Sequence, residues 1–481
     1  MSSRNFDKRA TALSNLFRWF GNYLRSNDVR CQTRKSPRDF SRIYKFPWYD
    51  VLCYLIFRHE KCTQSEISSY YSSIGKPDLR ISKQAAFKAV QKVRWEVFPL
   101  LIRKLAEKFY SSSLVKTHKG YILLAEDGTT NALLPTVEAL NMFGFVTNPT
   151  VKKADDAKKA TSRSASLYDV TNGLIVNFSM NQYKRSEIPI AVEHLEQSHN
   201  LFDGKNVILL ADRYYGGVEF FSIIESFGFN YCIRGKSNFF KKEIAKMESD
   251  DQWITIHIDK AWMKRLKYDR AKARFADNPE FRLRVVKREY RYFDSRGNAH
   301  TEQLIYFTNL PEEEFNTSDI ISLYAKRWDV EVSYKTLKSD LEWERFFSMD
   351  CSIEMCSIYS KILFHNLNGI VRKEMNLIFS QEHIEDENKY EYTVNIAQLT
   401  NSLRDFGLCR YLRSGNHQAI NKLLHRIYDM RHKIKVPVRE GRHYKRWGRV
   451  VMSSAPVCFR LDGRNWPRVI RVKGRLQTIR P

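Results

Sequence analysis

The hydrophobic pattern of this chain changes period twice. Up to about residue 117 apolar residues recur at helical spacing. The stretch 47–59 carries Val51, Leu52, Tyr54, Leu55 and Ile56, a density that predicts a buried helix. Residues 63–73 and 82–98 predict two more helical segments, separated by GKPDLRI. Ser82 is a good N-cap, and Ala86, Phe87, Val90 and Val93 follow at helical intervals. A helix, a turn and a second helix opening with Ser82, Lys83 and Gln84 fits a DNA-reading helix-turn-helix and an ordinary helical hairpin alike.

At residue 121 the pattern shortens. YILLAED (121–127) and NVILLAD (206–212) are compact apolar runs that read as buried strands, each ending in an aspartate and followed by a turn. Between them SASLYDV (164–170) and LIVNFSM (174–180) flank Thr171-Asn172-Gly173, a hairpin signal. IPIAVEHLEQ (188–197) and GVEFFSIIESFG (217–228) read as helices, the second with Gly228 as a C-cap, and NYCIRG (230–235) as a last strand. Strand, strand, strand, helix, strand, helix, strand is the order of a ribonuclease-H-like α/β fold. Residues 237–315 read as a β-rich insertion into it: Trp253, Ile254 and Ile256 lie in one strand, and 282–293 and 302–310 form a hairpin across Asp294-Ser295-Arg296-Gly297. The helical period resumes at about Ser318 and runs to 341.

The expected organisation is a helical N-terminal DNA-binding domain (1–117) and a catalytic core (118–236 and 316–380) interrupted by the insertion. A basic C-terminal region (381–481) for DNA binding or dimerisation follows.

Charge points to the partner. The chain has 481 residues and a formal net charge of +26, a surplus that suits a polyanion because Lys and Arg displace counterions from phosphates. From Arg431 onward fourteen further Lys and Arg follow, opposed only by Glu440 and Asp462, with Tyr444, Trp447, Phe459 and Trp466 interleaved. Cations mixed with aromatic rings suit a sugar-phosphate backbone and its bases. No apolar run approaches a membrane span, and MSSRNFDKRA lacks the apolar core of a signal peptide. The eight cysteines form no CxxC, so zinc and disulfide frameworks are not expected. A cytoplasmic, DNA-associated protein with reduced thiols follows.

Asp127 and Asp212 end strands that one sheet would deliver to a common edge. Two carboxylates that close repel, and a divalent cation offsets the cost. Taken singly, either is an ordinary turn or capping residue. Tyr324, Arg327, Glu331 and Lys338 are spaced by 3, 4 and 7 residues. At about 100° per residue they share one face of a helix. That face reads either as a functional one or as an exposed one with an (i, i+4) ion pair. Asp329 lies on another face.

Y-x2-R-x3-E-x6-K at these four positions resembles the signature of the DDE transposases related to insertion sequence four. Asp127-Gly128-Thr129 is similar to that family's D-G-[ST], and Ala211-Asp212-Arg213 to its A-D-R-[GA]-[YF], with Tyr214 and Tyr215 before Gly216 as a departure. The resemblance covers roughly residues 120–345. It implies a prokaryotic cut-and-paste transposase. Asp127, Asp212 and Glu331 would be its catalytic carboxylates, holding two Mg2+ ions (Mn2+ able to substitute), with Asp127 bridging. Tyr324, Arg327 and Lys338 would grip DNA phosphates, with Lys335 and Arg213 as further candidates. It also implies double-stranded partners (terminal inverted repeats and target), a hairpin intermediate and a homodimer that processes two ends together. Trp253, Trp262 and Trp328 are candidates to stack a base. The competing readings are a silent DNA-binding relic or transposition inhibitor, a structure-specific nuclease on the same fold, and a helix-turn-helix regulator, which leaves the carboxylate spacing unexplained.

Overall fold

The computed structural model describes residues 3–42, 45–59, 63–147, 158–236, 238–293, 298–386, 390–405, 407–414, 416–439, 468–472 and 475–479. The N-terminal part is helical, as its period requires: α1 (Ser3–Leu24), α2 (Asn27–Thr33), α3 (Trp48–Phe57), α4 (Thr63–Ser73), α5 (Lys83–Val90) and α6 (Val97–Tyr110). Helix α3 is buried almost throughout. Ser82 caps α5 by accepting from the Ala85 N–H, but α5 stops at Val90, so 82–98 is two helices and not one. Residues 74–82 separate α4 from α5, more than the roughly three- to four-residue turn of a helix-turn-helix.

The centre is a mixed sheet. Strands β1 (Tyr121–Ala132), β2 (Phe145–Thr147), β3 (Lys158–Asp169), β4 (Leu174–Gln182), β5 (Asn206–Ala211), β6 (Asn230–Arg234), β7 (Asp251–His257), β8 (Glu280–Phe293) and β9 (Ala299–Thr308) join in the order β2-β3-β1-β5-β6-β9-β8-β7, with β4 also on β3. Strands β1, β5 and β6 are parallel, and β3 runs antiparallel to β1. The hairpin at Thr171-Asn172-Gly173 forms as its sequence predicts, with Gly173 at φ 76°. Helix α7 (Val137–Phe143) precedes β2. Helices α8 (Glu187–Ser198) and α9 (Val218–Ser226) cover one face, and Gly228 takes φ 74° just beyond α9. Burial of both faces explains why Val207–Ala211 read as one unbroken apolar run.

The β-rich segment is continuous with this sheet. β9 pairs with β6 (Cys232↔Thr308), so β7, β8 and β9 extend the core sheet, with α10 (Lys241–Ile244), α11 (Lys260–Met263) and α12 (Asp269–Asp277) alongside.

The predicted 318–341 helix is broken. α13 (Thr317–Ala325) and α14 (Trp328–Lys335) are separated at Lys326 and Arg327, and a π-turn follows at Thr336–Asp340. Helix α15 (Cys351–Asp386) then runs for 36 residues behind β4, α3 and α6. The short β10 (Tyr392–Val394) and β11 (Lys435–Pro437) pair across α16 (Ile396–Asp405), α17 (Leu408–Ser414), α18 (His417–Asp429) and α19 (Arg431–Ile434). A hairpin of β12 (Arg468–Val472) and β13 (Arg475–Ile479) lies near the end. Tyr444, Trp447, Phe459 and Trp466 lie outside the described residues. No helix among the described residues is long and apolar enough to cross a membrane.

Candidate active site

Register places the two aspartates together. Strands β1 and β5 pair in parallel from Tyr121↔Asn206 to Ala125↔Leu210. Two residues on, the same offset sets Asp127 beside Asp212. Contrary to the sequence reading, Asp127 does not end its strand. β1 continues to Ala132 because β3 pairs with it along its whole length beyond Leu124. The parallel neighbour is what stops, so Asp127 stands at the edge where β5 gives way to the Asp212 turn. There Asp212 Oδ1 accepts the Tyr214 N–H at 2.7 Å. Tyr215, the departure from the family's pattern, turns inward and is fully buried against Phe220, whereas Tyr214 stays exposed.

Strand alternation sorts the neighbours of Asp127 onto two faces. Glu126 and Gly128 lie under α8. Buried Glu126 meets His194 Nδ1 at 3.0 Å, and His194 Nε2 lies 2.9 Å from Ser179 Oγ. A Cβ at Gly128 would come within 2.6 Å of the Glu187 carboxyl carbon, so the Glu187 side chain would have to shift. Glu187, on the first turn of α8, pairs with Arg163 at 2.8 Å. Asp127 and Thr129 lie on the α14 face, where Tyr334 donates to the Asp127 carbonyl at 2.7 Å and accepts from Ser166 Oγ at 2.8 Å.

Glu331 reaches this edge from α14. Its Oε1 accepts from Arg327 at 2.7 Å, and the same guanidinium lies 4.0 Å from Asp127 Oδ2. Arg327 also sits over the Tyr324 ring, 5.6 Å from its centre, and Tyr324 packs on Tyr306 of β9. Burial raises the Asp127 carboxyl to about 7, Arg327 acts against that rise, and Asp212 and Glu331 add to it. Burial pulls Arg327 down, but Tyr324, Glu331 and Asp127 outweigh it and leave the guanidinium above its ordinary value. The carboxylates thus share one electrostatic environment with Arg327 placed among them. Among the described residues no three His, Cys, Asp or Glu stand close enough, as arranged, to hold a metal ion.

The other predicted residues divide. Lys338, in the π-turn, donates to Thr129 Oγ1 at 3.1 Å and to the Thr130 carbonyl at 2.7 Å, so it is tied to β1 beyond Asp127. Lys335 and Arg213 are exposed, and Arg213 joins Asp212, Arg234, Glu302, Tyr324 and Arg327 around a cleft of about 340 Å³. Asp329 points away and pairs with Lys373 at 3.4 Å. Of the three tryptophans, Trp328 is exposed at 60 %, while Trp253 and Trp262 are partly covered by Arg282 and Phe240. Glu187 and Tyr334 escaped the sequence reading: the first looks like a helix-start acid and the second like a core aromatic.

Residues 143–366 match the family model of the transposase DDE domain. That span contains Asp212, Tyr324, Arg327, Glu331 and Lys338 and begins after Asp127. No curated protein matches the chain. The mixed sheet with helices on both faces accords with a ribonuclease-H-like DDE domain.

Proposed function

With a transposase DDE domain matched at its centre, we propose that the chain is a cut-and-paste DNA transposase. It binds the terminal inverted repeats of its own element, frees the ends through a hairpin intermediate, and joins them to target DNA. The observation that carries this reading is the approach of Asp127, Asp212 and Glu331 to one sheet edge, around a guanidinium.

The donor set fits Mg2+, which takes carboxylate oxygens, and Mn2+ should substitute. Asp127, Asp212 and Glu331 would hold it, and it would supply activation of an attacking hydroxyl and charge neutralisation at a phosphodiester. Arg327 now fills part of that role between Asp127 and Glu331. With a divalent cation held there, Glu331 would be one of its ligands, and the Arg327 guanidinium fork would be available to a phosphate oxygen. Tyr324, lining the same cleft, borders the path of that strand. Lys338 acts through β1, keeping the strand beyond Asp127 in place, and exposed Lys335 and Arg213 contact the DNA on either side. The helical N-terminal region and the basic C-terminal region bind the ends, and a homodimer brings two ends together.

The test is cleavage of labelled DNA carrying the element's ends in Mg2+, beside Asp127→Ala. Wild type nicks and forms hairpins, and the variant binds without cutting. Binding without cutting by the wild type, in Mg2+ and in Mn2+, would overturn the enzymatic reading and leave a DNA-binding relic or inhibitor. Cutting without joining would leave a nuclease.

A further inference from the structure

Two clefts at the carboxylate edge run into one another. The first, with Asp212, Tyr324 and Arg327, shares Arg213, Arg234 and Glu302 with a second of about 690 Å³ that adds Gly235, Lys236, Asn238 and Gln303. Together they form an open trough from the carboxylates toward the β8–β9 hairpin. Its cations are Arg327 at the mouth and Arg213, Arg234 and Lys236 beyond it; apart from Asp212 at the mouth, Glu302 is the acid among the lining residues.

The trough is built, not a chance cluster of flexible side chains. Arg234 pairs with Tyr306, Gly235 donates to the Ile305 carbonyl at 2.7 Å, and a Cβ there would strike the Phe307 ring at 2.6 Å, so Arg234 and Gly235 lie flat on β9. Gly216 likewise admits Phe239, whose ring would meet a Cβ at 2.7 Å. This locks the loop after β5 to the loop after β6. Lys236 Nζ lies between the Tyr214 and Phe239 rings, at 5.8 and 5.5 Å from their centres. Arg234 is held at 2.6 Å by Glu302, which is half-exposed.

We propose that Arg213, Arg234 and Lys236 form a phosphate track for one DNA strand leading away from the cut position toward the β8–β9 hairpin, and that Glu302 holds Arg234 in place until a phosphate displaces it. The proposal rests on the transposase reading for the identity of the strand. Ordered cations at the mouth of a carboxylate centre suit a phosphodiester chain, whose negative charges recur at regular intervals. An acidic protein segment lacks that regularity.

The experiment measures binding of the labelled end DNA by fluorescence anisotropy across a salt titration, in EDTA so that no strand is cut. Arg234→Ala/Lys236→Ala should flatten the dependence of log K on log salt by about 1.5–2, the loss of two phosphate contacts. Lys264→Ala/Arg265→Ala, which removes two exposed charges outside the trough, should not. Glu302→Gln should tighten binding several-fold, and by clearly more than it does in an Arg234→Ala background, the excess that separates release of Arg234 from the simple loss of an acid. Equal slopes for the trough variant and the wild type, or unchanged or weaker binding by Glu302→Gln, would overturn the track. Because no step here needs cleavage, a wild type that binds but never cuts overturns the transposase reading and leaves these outcomes separately readable.

Discussion

Glu354 is a carboxyl whose environment opposes its charge. It is buried, accepts the Leu134 N–H at 3.0 Å through Oε1, and leaves Oε2 without a hydrogen-bond partner. Burial raises it to about 8, the Leu134 N–H works against the rise, and Asp350 and Glu138 add to it. In the unfolded chain it titrates near the ordinary value of about 4.3. Between those two values the folded state therefore holds more protons, so its contribution to stability is complete at acid pH and is lost as pH climbs toward 8. Glu354→Gln keeps the acceptor oxygen and removes the charge. Thermal unfolding should show it more stable than wild type at pH 8 and nearly equal at pH 5. The opposite order, or a constant offset at both values, would mean that Glu354 is ionised inside the fold.

At the scale of elements, much of this edge was legible and part was not. The strands of Asp127 and Asp212 announced themselves as short apolar runs, because parallel strands buried on both faces cannot alternate. The continuation of β1 past Asp127 was hidden, since Gly128, Thr129, Thr130 and Asn131 look like a turn and are held extended by β3. The break before α14 was hidden too. Lys326, Arg327 and Trp328 include no glycine or proline, yet the backbone tightens to i→i+3 bonds from Lys326 to Val330. Tertiary pull accounts for it: Arg327 turns toward Asp127 and Glu331 while Tyr324 stays packed on Tyr306. The single helical face that the spacing of 3, 4 and 7 residues suggests is therefore not what gathers these residues. Lys338 and Glu344 pin the extension of β1, the first at Thr129 and Thr130 and the second at the Ala132 N–H. Lys338→Ala should speed amide exchange across residues 129–132 and slow cleavage by more than it weakens end binding. Unchanged exchange with weakened binding would instead make Lys338 a direct phosphate contact. Gly128→Ala should likewise depress cleavage while the protein stays folded, because the added methyl must displace the Glu187 carboxylate from beside the site.

Across the whole molecule, the N-terminal helices and the described C-terminal helices α17 and α18, which charge and period mark as separate regions, are packed into one helical body. Helix α1 lies against α17 and α18, Arg25 donates to the Leu412 carbonyl at 2.7 Å, Arg413 pairs with Asp50 of α3, and Arg9 pairs with Glu374 of α15 at 2.6 Å. The basic run also begins as structure. Arg431 pairs with Glu382 at 2.6 Å and stacks on Tyr428, so not every cation in it is available to DNA. Gly21 tests this union with a sign that is hard to mistake. In an exposed helix interior Gly→Ala stabilises by about 1 kcal/mol. At Gly21 a Cβ would stand 2.2 Å from the Leu412 carbonyl oxygen, a backbone atom that cannot step aside. Overpacking of this kind costs about 1–3 kcal/mol, so Gly21→Ala should lower the melting temperature and raise exchange in α1 and α17 together. If instead it stabilises the protein, or loosens α1 while α17 stays protected, the two regions fold apart and end binding can be divided between them. If both loosen together, α1 and α17 open as one unit, packed through α3 and α15 on the strand β4 of the sheet that carries Asp127.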